Sequence, residues 1–338
     1  MATAQEVLVD PAWLPHQYDA AQDRVLFLHI PKDMREQLTF LADYKPATAA
    51  EAVWVAGADV RGTAIEAPPV HYVFHTAFCR STLMVKALDQ LTGISGLSEP
   101  MIVNNLQANA GNASARAMLP ELMRLLGRSS EGDRCTVVKP SNFANGIIPA
   151  LLDAEGQSRA VLLYGTLRDF LDSVARKGLQ GRIWGRRQLR HNQQIIPLEL
   201  GMDERAMYEL TDMQAAALAW LLHIRQFATL LEKFPSRLRA LEANEFNAKK
   251  EASLQGMANF FGIPATTESI RAVVDGPLFG SHAKLGGDYQ ATIADQRAAA
   301  NSKVTEEEIE QIGQWIEVIM SQLRLTLPLS HPLLSSEA

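Results

Sequence analysis

The sequence predicts an α/β protein with three layers (αβα), in which helices cover both faces of a mostly parallel β-sheet. Strand-like apolar runs lie near residues 72, 137, 161 and 239, and segments with a helical spacing of apolar residues alternate with them. The clearest run, Ala160–Tyr164, is continuously apolar, as is usual for strands buried on both faces of a parallel sheet. Strands that alternate with helices are typical of this class.

Composition and charge argue against several classes of protein. The chain has 338 residues, is 47% hydrophobic and carries a formal net charge of −6, which disfavours a general nucleic-acid binder. No apolar run approaches the roughly 18–20 residues of a membrane span, and the N-terminus lacks the basic region and apolar core of a secretory signal. Two cysteines without metal-ligand spacing indicate reduced thiols. We therefore expect a cytoplasmic protein without a membrane or nucleic-acid partner; a homo-oligomer is left open.

The chain divides into three predicted parts. Residues 1–69 form an N-terminal segment that packs on the main domain, residues 70–325 form the main domain, and residues 326–338 form a C-terminal tail. Within the first part we expect a strand at residues 25–30 and a loop over residues 42–69, which are rich in Ala, Gly and Pro.

The rest of the chain is organised around residues 71–91. A short apolar run is followed there by a small polar loop over residues 75–82 and then by a helical pattern of apolar residues. Helix N-termini attract anions, because their first backbone N–H groups have no partner inside the helix. Arg80, Ser81 and Thr82 would add a positive charge and two hydroxyl donors at that end. The pattern indicates a phosphate-binding turn or, alternatively, a buried strand that leads into an ordinary capped helix.

Two further candidates are Lys139 and Glu99. Lys139 follows the strand-like run 136–138, and the carboxyl ends of strands are where open α/β sheets bind ligands. Glu99 precedes Pro100 in a predicted loop, and residues before proline favour an extended backbone. From the residues alone, both side chains could instead be solvated loop residues.

The loop over residues 75–82 is not a Walker A loop, because it contains neither glycine nor lysine. Residues 77–83, Ala-Phe-Cys-Arg-Ser-Thr-Leu, instead resemble the 5′-phosphosulfate loop of sulfotransferases, which reads close to Pro-[Lys/Arg]-Ser-Gly-Thr-Thr-Leu. The chain departs from that motif at Phe78, where the family has Lys or Arg, and at Arg80, where it has Gly. The resemblance covers about residues 70–290 and implies a P-loop nucleoside triphosphate hydrolase-like fold.

Among sulfotransferases, the spacing is similar to that of tyrosylprotein sulfotransferases and their bacterial relatives. In those proteins the loop helix ends in a leucine–aspartate pair, here Leu88 and Asp89, and a catalytic base follows about ten residues later, here Glu99. The family's lysine near the bridging oxygen of the donor corresponds to Lys139, and Arg80 would take over the charge lost from the loop. The resemblance thus implies catalytic roles for Glu99, Lys139 and Arg80.

The resemblance also implies residues that bind the donor, 3′-phosphoadenylyl sulfate (PAPS). The loop residues are Cys79, Arg80, Ser81 and Thr82. Arg168 and Ser173 would hold the 3′-phosphate, although the family's arginine position at the strand end holds Gly165. Lys284, in a glycine-rich loop, would cover the nucleotide.

We therefore expect a sulfotransferase-like enzyme that transfers a sulfuryl group from PAPS to a hydroxyl or amine of a small-molecule acceptor, without a metal ion. Two alternatives remain: a P-loop kinase that uses ATP, and a non-catalytic nucleotide- or anion-binding protein that lost activity with the changes at Phe78 and Gly165. The basic segment 176–191 is interpreted as a mobile lid, an acceptor-binding surface or a solvated loop. The sequence does not identify the acceptor.

Overall fold

A computed structural model of the chain describes residues 2–64, 66–128, 133–196, 200–280 and 303–334, with only the backbone at residues 303 and 304. Two β-sheets are present among these residues. The smaller sheet is antiparallel, and its strands in spatial order are β1 (Trp13–Asp19), β2 (Arg24–His29) and β3 (Ala52–Ala56).

The larger sheet confirms the predicted parallel architecture. Its strands are β4 (Val70–His75), β5 (Ile94–Ser98), β6 (Cys135–Lys139), β7 (Ala160–Tyr164) and β8 (Leu238–Glu242). They are parallel and lie in the order β5-β6-β4-β7-β8. From the central strand β4, all of whose residues are buried, the chain passes to one side for β5 and β6 and to the other for β7 and β8. The segment after β4 therefore lies at the topological switch point, where open α/β sheets bind ligands.

Helices flank the sheet, which confirms the predicted three-layer α/β class. In chain order the described helices are α1 (Ala4–Val9), α2 (Lys32–Gln37), α3 (Gly57–Gly62), α4 (Ser81–Asp89), α5 (Met101–Ala108), α6 (Ala113–Gly127), α7 (Ile148–Ala154), α8 (Leu167–Arg176), α9 (Gly178–Ile195), α10 (Glu204–Glu209), α11 (Asp212–Lys233), α12 (Ala243–Ala248), α13 (Lys250–Phe261), α14 (Thr267–Val274), α15 (Pro277–Gly280) and α16 (Lys303–Gln322). None of them is long and apolar enough to cross a membrane.

The basic segment 176–191 is mostly helical, so its interpretation as a solvated loop was wrong, while a role as a lid or acceptor-binding surface stays a prediction. Helix α9 runs through it and packs against α11. Gly185 permits this packing, because a Cβ at that position would lie only 2.8 Å from the Cβ of Ala216 on α11. Residues 42–69, predicted as a loop, also contain β3 and α3.

The described residues group into two compact units by their internal contacts. The first unit contains residues of Met1–Phe74, Thr82–Ala160 and Glu251–Leu278. The second contains residues of His75–Ser81, Val161–Lys250 and Phe279–Ala338. The domain division at residue 69 stays a prediction.

Arg128 fastens the N-terminal part of the first unit to the end of α6. Its buried guanidinium donates hydrogen bonds to the backbone carbonyls of Val7 (2.9 Å), Asp10 (3.2 Å) and Trp13. Its Nε donates to the carbonyl of Leu125 at 3.0 Å. Burial lowers the pKa of Arg128 to about 10, so the side chain is still a cation at neutral pH.

His71, on β4 in the first unit, is a buried neutral histidine. Its ring stacks on Phe261 with 4.8 Å between the ring centroids. Nδ1 accepts the backbone N–H of Arg159 at 3.2 Å, which leaves Nε2 to donate to the carbonyl of Phe261 at 3.1 Å. Burial lowers the pKa of His71 from 6.5 to about 4, because the charged ring would lose its hydration.

This lowered pKa predicts a loss of stability in mild acid. Between pH 6.5 and about 4 the unfolded chain binds a proton at His71 and the folded chain does not. The contribution of His71 to the free energy of unfolding should therefore be complete above pH 6.5, and roughly 3 kcal/mol of it should be lost as the pH drops through that window. Urea unfolding between pH 6.5 and about 4 should show that the free energy of unfolding depends less steeply on pH in His71→Phe than in the wild type. The variant should also be less stable at neutral pH. An equally steep dependence in both proteins would contradict the assignment.

Candidate functional site

The loop between β4 and α4 has an unusual backbone. Ala77, Phe78 and Arg80 have φ values of +74°, +53° and +63°, although none of them is glycine. Left-handed conformations of this kind cost about 1–2 kcal/mol per residue and occur where the surroundings impose them, often at ligand-binding loops. Turns with left-handed residues also direct backbone N–H groups into anion-binding concavities.

Contacts within the second unit hold the loop in this shape. The N–H of Thr76 donates to the carbonyl of Leu163 on β7 at 3.2 Å, and the Cys79 thiol lies 3.7 Å from the same carbonyl. The N–H of Ala77 donates to Nδ1 of His75 at 3.1 Å. The predicted donor-loop residue Cys79 is therefore buried and bonded to the neighbouring strand.

Phe78, at the position where the resembled sulfotransferase loop has Lys or Arg, makes aromatic contacts instead of polar ones. Its ring packs against Trp184 and Phe170, with centroid distances of 4.9 and 5.5 Å. The ammonium of Lys177 lies 5.7 Å from the Phe78 ring centroid, within the range of a cation–π contact. An aromatic cluster thus fastens this position of the loop to α8 and α9.

Arg80 extends to α12, where its guanidinium donates to Oδ1 of Asn247 at 2.5 Å. One turn earlier, Asn244 of the same helix donates to Oδ2 of Asp169 on α8 at 2.7 Å. Helix α12 therefore connects the loop to the start of α8 through two asparagines. Neither asparagine was predicted as a site residue, and nothing near them in the chain indicates this role.

Helix α4 begins at Ser81, directly after the loop, and both of its first side chains are buried. Thr82 is 2% exposed, and its Oγ1 has no hydrogen-bond partner among the described residues. A buried hydroxyl without a partner costs roughly 1–3 kcal/mol. A donor left in this state at the N-terminus of a nine-residue helix suits an anion that would accept from it.

Lys139 and Glu99, both in the first unit, form a direct ion pair. The Nζ of Lys139 donates to Oε1 of Glu99, and the two side chains are 1% and 18% exposed. The ammonium also lies 5.1 Å from the ring centroid of Phe40, a contact that the sequence analysis missed. The structure therefore brings together two of the three predicted catalytic residues.

The backbone of Glu99 differs from the prediction. Its φ is +51°, a left-handed value, whereas the following proline predicted an extended conformation. Tertiary hydrogen bonds account for the difference: its N–H donates to the carbonyl of Lys139 at 2.7 Å, and its carbonyl accepts the N–H of Ala42 at 3.0 Å. Both backbone polar groups of Glu99 are thus held, which fixes where its side chain starts, and the ion pair with Lys139 orients the carboxylate.

Three predicted site residues of the first unit share one edge of the sheet. Glu99 directly follows β5, Lys139 ends β6, and Thr82 lies in the helix that follows β4. These strands are parallel, with Ser98 paired to Lys139 and Tyr72 paired to Val138. The carboxyl ends of β4, β5 and β6 are therefore adjacent, as a ligand-binding edge of an open α/β sheet requires.

The predicted 3′-phosphate residues lie on α8 in the second unit. Arg168 has a 55% exposed side chain and forms an ion pair with Glu306 of α16. Ser173 donates to the carbonyl of Asp169 at 2.8 Å and accepts from Arg176 at 2.7 Å. Both side chains have protein partners here, and their contact with a donor stays a prediction. Lys284 lies outside the described residues.

Removing Lys139 alone should destabilise the fold, because it leaves the Glu99 carboxylate without its counter-charge. We expect Lys139→Met to lower the free energy of unfolding by about 3 kcal/mol. Adding Glu99→Gln should recover part of this loss, which gives a coupling energy of about 1–3 kcal/mol in a double-mutant cycle. Urea denaturation gives the free energy of unfolding of the wild type, both single variants and the double variant.

The more exposed pair formed by Glu245 of α12 and Lys249, which directly follows that helix, provides the matched control cycle; the two side chains are 31% and 57% exposed. Its coupling should be only about 0.3–0.5 kcal/mol. Equal couplings for the two pairs would show that the Lys139–Glu99 contact has no special weight in the fold.

Comparisons with known proteins place the chain beside sulfotransferases of known structure. No protein-family model matches the sequence, and neither does any curated protein. The sulfotransferase domain from the curacin biosynthetic pathway is 13% identical, with a TM-score of 0.44 over 77% of this chain and 99% of that one. A sulfotransferase from Alicyclobacillus acidocaldarius is 13% identical, with a TM-score of 0.43 over 78% and 98%. Mouse sulfotransferase SULT7A1 complexed with PAP is 12% identical, with a TM-score of 0.38 over 80% and 89%.

These structures are sulfotransferases, the family that residues 77–83 of this chain resemble.

Proposed function

We propose that the chain transfers a sulfuryl group from PAPS to a hydroxyl or amine of a small-molecule acceptor. The observation that carries this proposal is the buried, unpartnered Oγ1 of Thr82 at the N-terminus of α4, after a left-handed loop at the switch point of the sheet. This combination fits an anionic group such as a phosphosulfate.

The pair at the ends of β5 and β6 suits the transfer step. When bound, PAPS supplies the sulfuryl group. Glu99 takes the proton from the acceptor hydroxyl or amine, whose oxygen or nitrogen forms the new bond to sulfur. The bond from sulfur to the phosphate oxygen breaks, and Lys139 stabilises the negative charge on that oxygen. For both roles, the contact between Lys139 and Glu99 must open when the ligands bind.

The chain's own residues fit the donor in part. The left-handed loop, Thr82 and Arg80 fit an anion, whereas two positions that carry cations in the family hold Phe78 and Gly165. The aromatic packing of Phe78 specifically favours the second candidate function, a nucleotide- or anion-binding protein without transferase activity. Binding and turnover therefore have to be measured separately.

Adenosine 3′,5′-bisphosphate should stabilise the protein. A ligand at about 100 times its Kd adds about 2.7 kcal/mol, which is visible as an increase in Tm. Thr82→Val removes the unpartnered hydroxyl but keeps the side-chain shape, so its own stability should be unchanged or higher while its affinity for the bisphosphate falls about tenfold. Isothermal titration calorimetry measures the affinity.

The matched control for this test is Thr229→Val, at an exposed position on α11. Its affinity for the bisphosphate should equal that of the wild type. A stabilising effect of ATP with Mg²⁺ but not of the bisphosphate would favour the kinase alternative. Unchanged affinity in Thr82→Val would remove the observation on which the proposal rests.

Turnover should depend on Glu99. We expect Glu99→Gln to lower kcat for sulfuryl transfer from labelled PAPS about 100-fold or more, because the amide accepts no proton, while affinity for the bisphosphate is retained. Lys139→Met should lower kcat at least about tenfold, and its stability must be measured in parallel. A protein that binds the bisphosphate but transfers no sulfuryl group to any acceptor would be the non-catalytic binder.

A further inference from the structure

A cavity of about 360 Å³ lies in the first unit, beside the strand that leads to Glu99. Gly96 and Ser98 of β5 line one side, and the second half of α4 lines another. The remaining wall comes from α2, the chain just after it and Leu278 of α15. The volume is within the usual range of small-molecule sites.

The charged side chains that line this cavity differ in whether they have hydrogen-bond or ion-pair partners. Arg35 is half-buried, and its Nε has no hydrogen-bond partner among the described residues. Neither Arg35 nor Lys86, which also lines the cavity, forms an ion pair with any described residue. The carboxylate of Asp89, by contrast, already accepts the N–H of Gly96 at 2.6 Å. Arg35 and Lys86 therefore face the cavity without a described carboxylate at ion-pair distance, although Asp89 and Glu36, which also line it, attract the charge of Arg35.

A buried guanidinium N–H without a partner is costly, and a carboxylate can accept two parallel hydrogen bonds from an arginine. The Arg35 pKa is lowered, first of all by burial, which shows that the charge is poorly hydrated at this position. An arginine in this state gains most from a planar anion that enters the cavity. Arg35 is thus the anchor that a small organic acid would use.

The same stretch of chain contacts both the cavity and the candidate catalytic pair. Leu38 and Leu41 line the cavity. Between them, Phe40 lies against the ammonium of Lys139. Directly after them, Ala42 donates its N–H to the carbonyl of Glu99. A molecule held at Arg35 would therefore contact, through Leu38 and Leu41, the segment that also contacts Lys139 and Glu99, although these two residues do not line the cavity themselves.

We propose that this cavity is the acceptor site and that the acceptor is a small organic acid, whose carboxylate binds Arg35 with support from Lys86 and whose hydroxyl or amine is directed toward Glu99. The identification of the bound acid as the acceptor rests on the proposed sulfuryl transfer. The anion site itself rests only on the cavity and its cations.

Binding is tested first, without any donor. Glycolate and para-hydroxybenzoate are compared with ethylene glycol and para-hydroxybenzyl alcohol, which have the same hydroxyl but no carboxylate. Calorimetric titration should show that the protein binds an acid more tightly than its alcohol. Arg35→Met should weaken that binding at least about tenfold, without loss of Tm, because the substitution removes a donor that has no partner.

Arg205→Met, at an exposed arginine on α10 with an 85% exposed side chain, is the matched control and should bind like the wild type. Equal affinity for acids and alcohols, detectable or not, would overturn the inference, as would unchanged binding in Arg35→Met. Turnover with PAPS is then measured separately. Acid binding that depends on Arg35 together with a higher KM and an unchanged kcat in Arg35→Met supports the acceptor role.

The two proposals fail in different ways. If sulfuryl transfer is observed but neither KM nor acid binding depends on Arg35, the acceptor site is wrong and the proposed function stands. If acids bind through Arg35 but no sulfuryl transfer from PAPS occurs, the proposed function and the acceptor role both fall.

Discussion

The buried charge of Lys139 is the constraint on which the candidate site depends. Its side chain is 1% exposed, and an ammonium without a counter-charge in such surroundings costs several kcal/mol. Glu99 supplies the counter-charge, and it does so from a left-handed backbone that two backbone hydrogen bonds hold in place. The pair therefore joins the ends of β5 and β6 to the segment around Phe40 and Ala42. Stability of this sheet edge and the proposed chemistry depend on the same two side chains.

That dependence limits how the site can work. To accept a proton, Glu99 has to move away from the ammonium of Lys139. Lys139 then exchanges the Glu99 carboxylate for the phosphate oxygen of the donor. The exchange keeps the buried charge compensated at each stage, so a bound donor does not isolate it. The neighbouring cavity differs, because its two cations, Arg35 and Lys86, form no ion pair with a described residue. An anion that enters the cavity therefore does not have to displace a carboxylate from them. The first unit thus contains both a cation in an ion pair, Lys139, and cations without a described ion pair, Arg35 and Lys86.

Much of the fold was predictable because buried parallel strands contain apolar runs: β7 is one throughout, β4 and β6 contain shorter ones, and a strand was also predicted at β8, where Arg239 interrupts the pattern. The prediction failed for α9, whose glycines suggested a loop. Glycine weakens an isolated helix, but at Gly185 the close approach of Ala216 on α11 compensates for this. For the site, Glu99 and Lys139 were predicted as members of one constellation, and their direct contact is observed. Phe40, Arg35 and Asn247 were missed, because each acquires its role from a residue distant in the chain.

The sequence alone determined the three-layer α/β class, the position of the loop after the central strand and the identity of the charged residues that follow the strands. These features depend on local apolar patterns and on chain order, which a single sequence contains. Only the tertiary structure decided that Glu99 adopts a left-handed backbone, that Phe78 joins an aromatic cluster and that Arg35 faces a cavity without a partner. The physical reason is that conformational strain, burial and the pairing of charges are set by neighbours from other parts of the chain, and those neighbours exist only once the chain has folded.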